Sequence, residues 1–192
     1  MPEMLLSILV DDWELVTKHL QITCAPSPHP VTRVLEEWAA YEEEQRKGDD
    51  ASIEILKEMV SGIRCFFNVA LGRVLLYRLE RVQYADIYHA TRNPTHEVAG
   101  KKMSDIYGPE HLLRMLSEYF WCITSSEIAN NVIAKLPEYC SHSGMDKQSL
   151  LRAKEEIQRL ANWLGKPENV EKYFSTPYLV PNRAYLEEAD AA

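Results

Sequence analysis

The sequence predicts an all-α fold. Three observations carry that reading: apolar residues recur at helical spacing along most of the chain, only 7 glycines interrupt its 192 residues, and long stretches free of Gly and Pro suit helices better than a many-stranded sheet. Apolar residues make up 46% and charged residues 26%, the balance of a globular chain, and the length suits one domain, residues 1–192, with a sizeable core. Asp11 and Asp12 interrupt the apolar start before a secretory segment can form, and no run reaches the roughly 18 apolar residues of a membrane span. A soluble, intracellular protein is expected.

The elements follow in order. Pro2 fits the first turn of a helix, and Leu5, Leu9, Trp13, Val16 and Leu20 then recur at helical spacing, with Leu6 and Val10 widening the stripe. Prolines at 26, 28 and 30 mark residues 21–30 as a loop, in which Gln21–Thr23 has room for a short extended piece or β-hairpin. Val31, Val34, Leu35, Trp38 and Tyr41 define a second amphipathic helix that runs out in the charged stretch 42–50. Ser52 is placed to cap the strongest helix, whose apolar positions are Ile53, Leu56, Val60, Ile63, Phe67, Leu71, Val74 and Leu75. Continuous over 53–81, it would form a central strut of about 43 Å, packed orthogonally by other helices. Gly62 and Gly72 within it would allow a neighbour to approach closely.

Residues 90–104 are polar and read as a surface loop. Gly108-Pro109 opens a helix carrying Leu112, Leu113, Leu116, Phe120 and Ile123, and Ser125 or Ser126 divides it from a piece with Ile128, Val132, Ile133 and Leu136. Asp146 caps an amphipathic helix with Leu150, Leu151, Ile157, Leu160 and Leu164, closed by Gly165 and Pro167. Tyr173, Phe174, Tyr178 and Tyr185 would anchor an irregular C-terminus to the helical body.

The net charge of −8 argues against sequence-independent nucleic-acid binding, and Lys101-Lys102 is too short to track a phosphate backbone. Cys24, Cys65, Cys122 and Cys140 form no Cys-x-x-Cys pair and read as buried or half-buried free thiols. The 6 histidines include no His-Glu-x-x-His, and Cys140-Ser141-His142 lacks a second half, so neither metal nor cofactor is expected. No phosphate loop, dinucleotide fingerprint or nucleophile elbow occurs, and the rival reading, an enzyme using His111, Glu80 or Cys140, finds no supporting constellation. Glu80-Arg81 ends the apolar helix, where a charge is costly unless paired; it is read as a structural ion pair fixing the helix against Asp11 or Asp12, with Asp12, Glu80 and Arg81 taken as its members. Val10, Trp13 and Tyr77 are each ordinary core candidates, but as a set they would also floor a shallow groove for a partner's side chain.

Four ordered blocks resemble one family. Ile8–Glu14 (ILVDDWE) is similar to the Leu-Val-Asp-Asp-Trp opening of MRG (mortality-factor-related gene) domains, and Met1-Pro2-Glu3 fits their lead-in. Phe67–Arg81 followed by Gln83-Tyr84 resembles the family's most characteristic stretch, and Tyr107–Arg114 its Tyr-Gly-x-x-His-Leu-x-Arg element. Asn162-Trp163-Leu164, Tyr173-Phe174, Tyr178 and Pro181-x-x-x-Tyr185 fit the C-terminal end, with wording nearest to fungal members of the Esa1-associated factor type.

The resemblance implies a nuclear, non-enzymatic all-α scaffold within histone acetyltransferase and deacetylase complexes. It would dock extended Phe-x-Leu-Pro segments and flanking helices of partner subunits. The methyl-lysine-reading chromodomain that many members carry is not expected within these residues. Carried over by motif, the groove residues are Leu9, Val10, Trp13 and Tyr77, with Met1 at the rim. Two further positions follow the Leu-Leu-Arg element: counted straight from Arg114 they are Ser117 and Glu118. Leu136-Pro137-Glu138 matches the family's continuation, however, and an insertion near 117–131 makes Ala134 and Lys135 the better equivalents. Homodimerisation through the same apolar patch is the alternative reading.

Overall fold

The computed structural model describes residues 1–124 and 147–191, with the side chains of 119–124 and 147–150 set aside. Among the described residues the architecture is helical, and the only strand-like feature is one antiparallel bridge pairing Ile22 with Leu179. The hairpin allowed for near 20–30 therefore does not form. Ile22 pairs with the distant C-terminal segment, where Leu179 N–H donates to Ile22 O at 2.7 Å and Ile22 N–H to Leu179 O at 2.9 Å.

Helix α1 spans Glu3–Thr17, α2 Val31–Gln45 and α3 Asp50–Ala70. Asp49 caps α3 by accepting from the Ser52 N–H at 3.1 Å, so the capping residue lies three positions before the serine that the sequence offered. A π-helical turn, Leu71–Leu75, follows, and α4 runs Glu80–Arg92. After a 3₁₀ turn at Met103–Asp105 come α5, Pro109–Thr124, then α6, Lys147–Leu164, α7, Pro167–Tyr173, and α8, Arg183–Ala191. The expected division at Ser125 or Ser126, the Ile128–Leu136 piece and the Asp146 cap lie outside the described residues.

The central strut expected over 53–81 is broken. It stops at Ala70, unwinds through the π turn, and Leu76 is extended (φ −90°, ψ 131°) before α4 begins. The apolar pattern runs on through this break because Leu71, Leu75, Leu76 and Leu79 remain buried; hydrophobic period alone cannot distinguish a straight helix from a bent one. Gly72 explains where the bend falls. A Cβ there would lie 2.5 Å from the Tyr84 hydroxyl and 2.6 Å from its ring carbon Cζ, so the missing side chain is the space that the ring from α4 occupies.

One core joins Leu5 of α1, Val34, Leu35 and Trp38 of α2, Leu56, Ile63 and Phe67 of α3, Leu112, Leu113 and Leu116 of α5, Leu160 and Leu164 of α6, and Tyr173 of α7. A smaller cluster of Val16, Ile22, Leu79, Val82 and Ala189 packs α8 onto α4, with Tyr77, Tyr178 and Tyr185 beside it. The C-terminal aromatics are thus anchors as expected: Tyr173 and Tyr185 lie on α7 and α8, and Phe174 and Tyr178 in the irregular segment between them. Buried Arg46 ties α2 to α6, donating to Glu42 at 2.8 Å and to Glu156 at 2.7 Å. Cys65 departs from the expectation, since its thiol is exposed on the outer face of α3 while Cys24 is half-buried.

Gly72→Ala should cost on the order of 1–3 kcal/mol by overpacking against Tyr84, and little in a Tyr84→Ala background. Urea unfolding of the two single variants and the double variant measures this; equal cost in both backgrounds would remove the close-approach account of the bend.

Candidate functional site

The buried charge cluster beneath α1 sets the geometry of the site. Helix α5 delivers His111 and Arg114 on one face, three residues apart, into a space closed by α1, the π turn and the start of α4. Arg114 Nε donates to Asp12 Oδ2 and Nη2 to Asp12 Oδ1, each at 2.7 Å, a bidentate fork on one carboxylate. Its Nη1 donates to Glu80 Oε2 at 2.5 Å and to the Leu75 carbonyl at 3.1 Å, while Nη2 also reaches Glu80 Oε1 at 3.1 Å. The Leu75 carbonyl belongs to the π turn, so the guanidinium satisfies a group that the broken helix leaves open.

Glu80 completes the junction. Its Oε2 accepts the Tyr77 N–H at 3.0 Å, and His111 Nε2 lies 3.1 Å from its Oε1. A carboxylate can only accept, which makes His111 Nε2 the donor. Tyr178 donates its hydroxyl to Asp12 Oδ1 at 2.6 Å, tying the C-terminal segment to the same cluster. Relative exposures are 2% for Asp12, 0% for Glu80 and His111, and 5% for Arg114, so these charges are paired within the core. Burial by itself would raise the Glu80 carboxyl, but Arg114 and then His111 outweigh it and hold the group down near 2. The two carboxylates likewise raise Arg114 against its own burial cost, while burial first and then Asp12 raise the Tyr178 hydroxyl.

The cation expected at this position was Arg81. Arg81 is exposed, and the arginine that meets Asp12 and Glu80 is Arg114. Once the helix bends at 71–75, Glu80 becomes the first residue of α4 with its side chain turned inward, and the next residue points out. A signal for Arg114 did exist in the sequence: it interrupts the apolar set Leu112, Leu113 and Leu116, and an arginine in such a stripe needs carboxylates.

The structure places the other singled-out residues around this cluster. The inner face of α1 carries Leu5, Leu9, Asp12 and Val16; Leu9 is half-buried against the core, as is Met1. The outer face carries Leu6, Val10 and Trp13, which are 48%, 57% and 44% exposed. Lys18 stands 4.8 Å from the centre of the Trp13 ring. Tyr77 is half-buried, with the Arg114 guanidinium stacked 4.1 Å from its ring centre, so one buried cation backs Tyr77 and grips the residue preceding Trp13. Burial is the first cause holding the Tyr77 phenol above its ordinary value; Arg114 opposes the shift, and Asp12, Glu80 and Glu118 add to it. Tyr77 also lines a cavity of about 140 Å³ with Val16, Leu20, Leu79 and Leu186, at whose edge Leu20 holds a left-handed φ of 53°. Ser117 donates its hydroxyl to the Arg114 carbonyl at 2.8 Å, and Glu118 is exposed beside it. Ala134 and Lys135 lie outside the described residues.

With this geometry in view, the MRG family model matches residues 1–134. The chain belongs to the MRG family. It is 35% identical to the chromatin modification-related protein eaf3 of Aspergillus fumigatus over 189 residues, 98% of this chain and 51% of that protein. With the protein of the same name from Yarrowia lipolytica it shares 36% identity over 164 residues, 85% of this chain and 37% of the relative. Mortality factor 4-like protein 1 of Rattus norvegicus is 40% identical over 114 residues, covering 59% of this chain and 33% of its own length. The chain thus spans about half the length of the first of these relatives. Among the described residues of this MRG chain, no group of His, Cys, Asp and Glu could hold a metal ion, and no helix is long and apolar enough to cross a membrane.

Two predictions follow from the cluster. Arg114→Met should destabilise the fold by roughly 3–5 kcal/mol, since it leaves Asp12 and Glu80 buried without their cation. Denaturant unfolding would show this, and a loss below about 1 kcal/mol would mean the carboxylates find water.

The second prediction concerns Glu110, which is buried nearby. Burial first, then the charges of Asp12 and Glu80, push its carboxyl up from 4.5 to about 7, against its own backbone N–H and Arg114. Between those values the folded state keeps a proton that the unfolded chain has lost, so stability falls as pH rises through that window. Glu80 has the opposite sign, its contribution being complete above 4.5 and lost as pH falls toward 2. Glu110→Gln should flatten the decline between about pH 5 and 7 and raise stability at pH 8 by up to about 3 kcal/mol. Urea midpoints across that range check it; a variant that keeps the decline of the parent would remove Glu110 as its source.

Proposed function

We propose that this MRG domain is a non-catalytic docking platform in nuclear complexes that acetylate or deacetylate histones, with residues 1–192 acting as one module. The relatives carry the name chromatin modification-related protein, which supports the setting. The observation that carries the docking reading is the second apolar face of α1. Leu5, Leu9, Asp12 and Val16 already attach the helix to the body, so the fold has no use for Leu6, Val10 and Trp13 on its outside. An exposed tryptophan at this spacing, on a helix locked from below by Asp12–Arg114, is a rigid anchor of the kind interfaces use.

In this reading Leu9, Val10 and Trp13 with Tyr77, and Met1 at the rim, receive a Phe-x-Leu-Pro segment of a partner subunit. Ala134 and Lys135 complete the far wall. Burying one Phe and one Leu yields a gross gain of roughly 3–6 kcal/mol, opposed by the ordering of a flexible peptide. The motif alone therefore binds weakly, and an amphipathic partner helix alongside supplies the rest. The complete burial of Glu80 and His111 favours a scaffold over an enzyme, because no substrate reaches them without opening the core.

Titration calorimetry with a Phe-x-Leu-Pro peptide, with and without its flanking helix, tests the reading. Trp13→Ala and Tyr77→Ala should each weaken binding at least about tenfold while the unfolding midpoint of Trp13→Ala stays near that of the parent. Unchanged affinity in both folded variants would sink the groove assignment.

A further inference from the structure

A second surface, sharing no residue with the proposed groove, inverts the charge of this acidic chain. Ser61, Arg64, Cys65 and Asn68 lie on one face of α3, and with Tyr88 and Thr91 of α4 and the segment Lys101–Met103 they line an open cleft of about 530 Å³. Its lining holds three cations and no carboxylate, in a chain of net charge −8. Among the described residues Arg64, Lys101 and Lys102 form no ion pair. A fourth cation, Arg92, stacks 4.0 Å from the centre of the Tyr88 ring.

The cleft is built rather than incidental. Asn68 accepts the Ser104 N–H at 2.8 Å, and its amide donates to Ser104 Oγ at 3.1 Å and to the Arg64 carbonyl at 2.8 Å. Asp105 accepts the Lys102 N–H at 3.0 Å and the Thr32 hydroxyl at 2.5 Å, and the Gly100 N–H donates to the Thr91 carbonyl at 2.9 Å. These bonds hold the backbone of the segment that carries the two lysines against α3 and α4, so the wall of the cleft is formed before any ligand arrives. Val69, 39% exposed, and buried Met103 add a small apolar patch to the lining.

We propose that this cleft binds a short acidic peptide segment of a partner protein, its carboxylates meeting Arg64, Lys101 and Lys102 and one apolar side chain resting on Val69 and Met103. Charge complementarity selects the class of occupant. A nucleic-acid strand suits the cleft less well, because beyond these few residues a polyanion would run onto an acidic protein. The volume accommodates a few residues of chain, in the range of specific clefts.

The test uses the whole chain and a short fluorescein-labelled Asp/Glu peptide with one central leucine, followed by fluorescence anisotropy. Saturable binding is expected, weakening as salt rises, and about tenfold weaker in Arg64→Glu and in the Lys101→Glu/Lys102→Glu double variant. Trp13→Ala, which disables the proposed docking groove, should leave it unchanged, so the two proposals fail separately. Amide shifts in the parent protein during the same titration should cluster at residues 61–69, 88–91 and 101–104, which decides the matter even if a charge-reversal variant misfolds. No binding at low salt, equal affinity in folded charge-reversal variants, or shifts elsewhere would overturn the proposal. Tighter binding of an oligothymidylate than of the peptide would overturn it in favour of a nucleic-acid surface.

Discussion

A guanidinium cannot be left in a protein core without partners, and much of this structure follows from the partners that Arg114 takes. It bonds Asp12 on α1, the Leu75 carbonyl in the π turn and Glu80 at the start of α4, and it stacks on Tyr77. Each of those groups would be unstable where it stands without that cation. Two buried carboxylates would repel, and the carbonyl would have no donor. A neutral side chain could fill the volume, but it could not hold three separate stretches of chain at one point. The bend between α3 and α4 is therefore a consequence of electrostatics as much as of packing. Gly72 makes room for it by admitting Tyr84, and Arg114 with Glu80 satisfies the backbone that it exposes.

That junction also connects core to surface. Asp12 and Trp13 are consecutive residues of α1 that point about 100° apart around its axis, one sealed against Arg114 and the other exposed to solvent. Fixing the first orients the second. Tyr77 owes its position to the same cation, which lies against its ring, and to Glu80, which holds its backbone N–H. The proposed docking surface, held this way, is pre-organised, so a partner would spend little of its binding energy on ordering the receptor. The cationic cleft follows a similar logic on a different part of the chain, with Asn68 and Asp105 holding the loop that carries the lysines.

Helix existence was legible wherever a strong apolar period met ordinary punctuation, as in α1, α2 and α5. The bend at 71–75 was not, because Leu71, Leu75, Leu76 and Leu79 keep facing the core on both sides of it. Asp12 and Glu80 were readable as buried acids from their places beside apolar residues. Their cation was misread as the neighbouring Arg81, since adjacency in sequence says nothing about side once a helix ends between the two partners. Lys101-Lys102 looked too short to matter, and Arg64 lies far enough away in the chain that only folding joins them.

From the residues alone came the all-α class, most helix positions, the absence of familiar catalytic motifs and the likeness to MRG domains, all of which depend on local spacing and residue type. Which arginine enters the core, where the long apolar pattern bends, and which apolar residues of α1 stay exposed were decided by tertiary structure. Those choices turn on desolvated charge: a buried cation takes the carboxylates and carbonyls that three-dimensional packing brings within about 3 Å, whatever their separation along the chain.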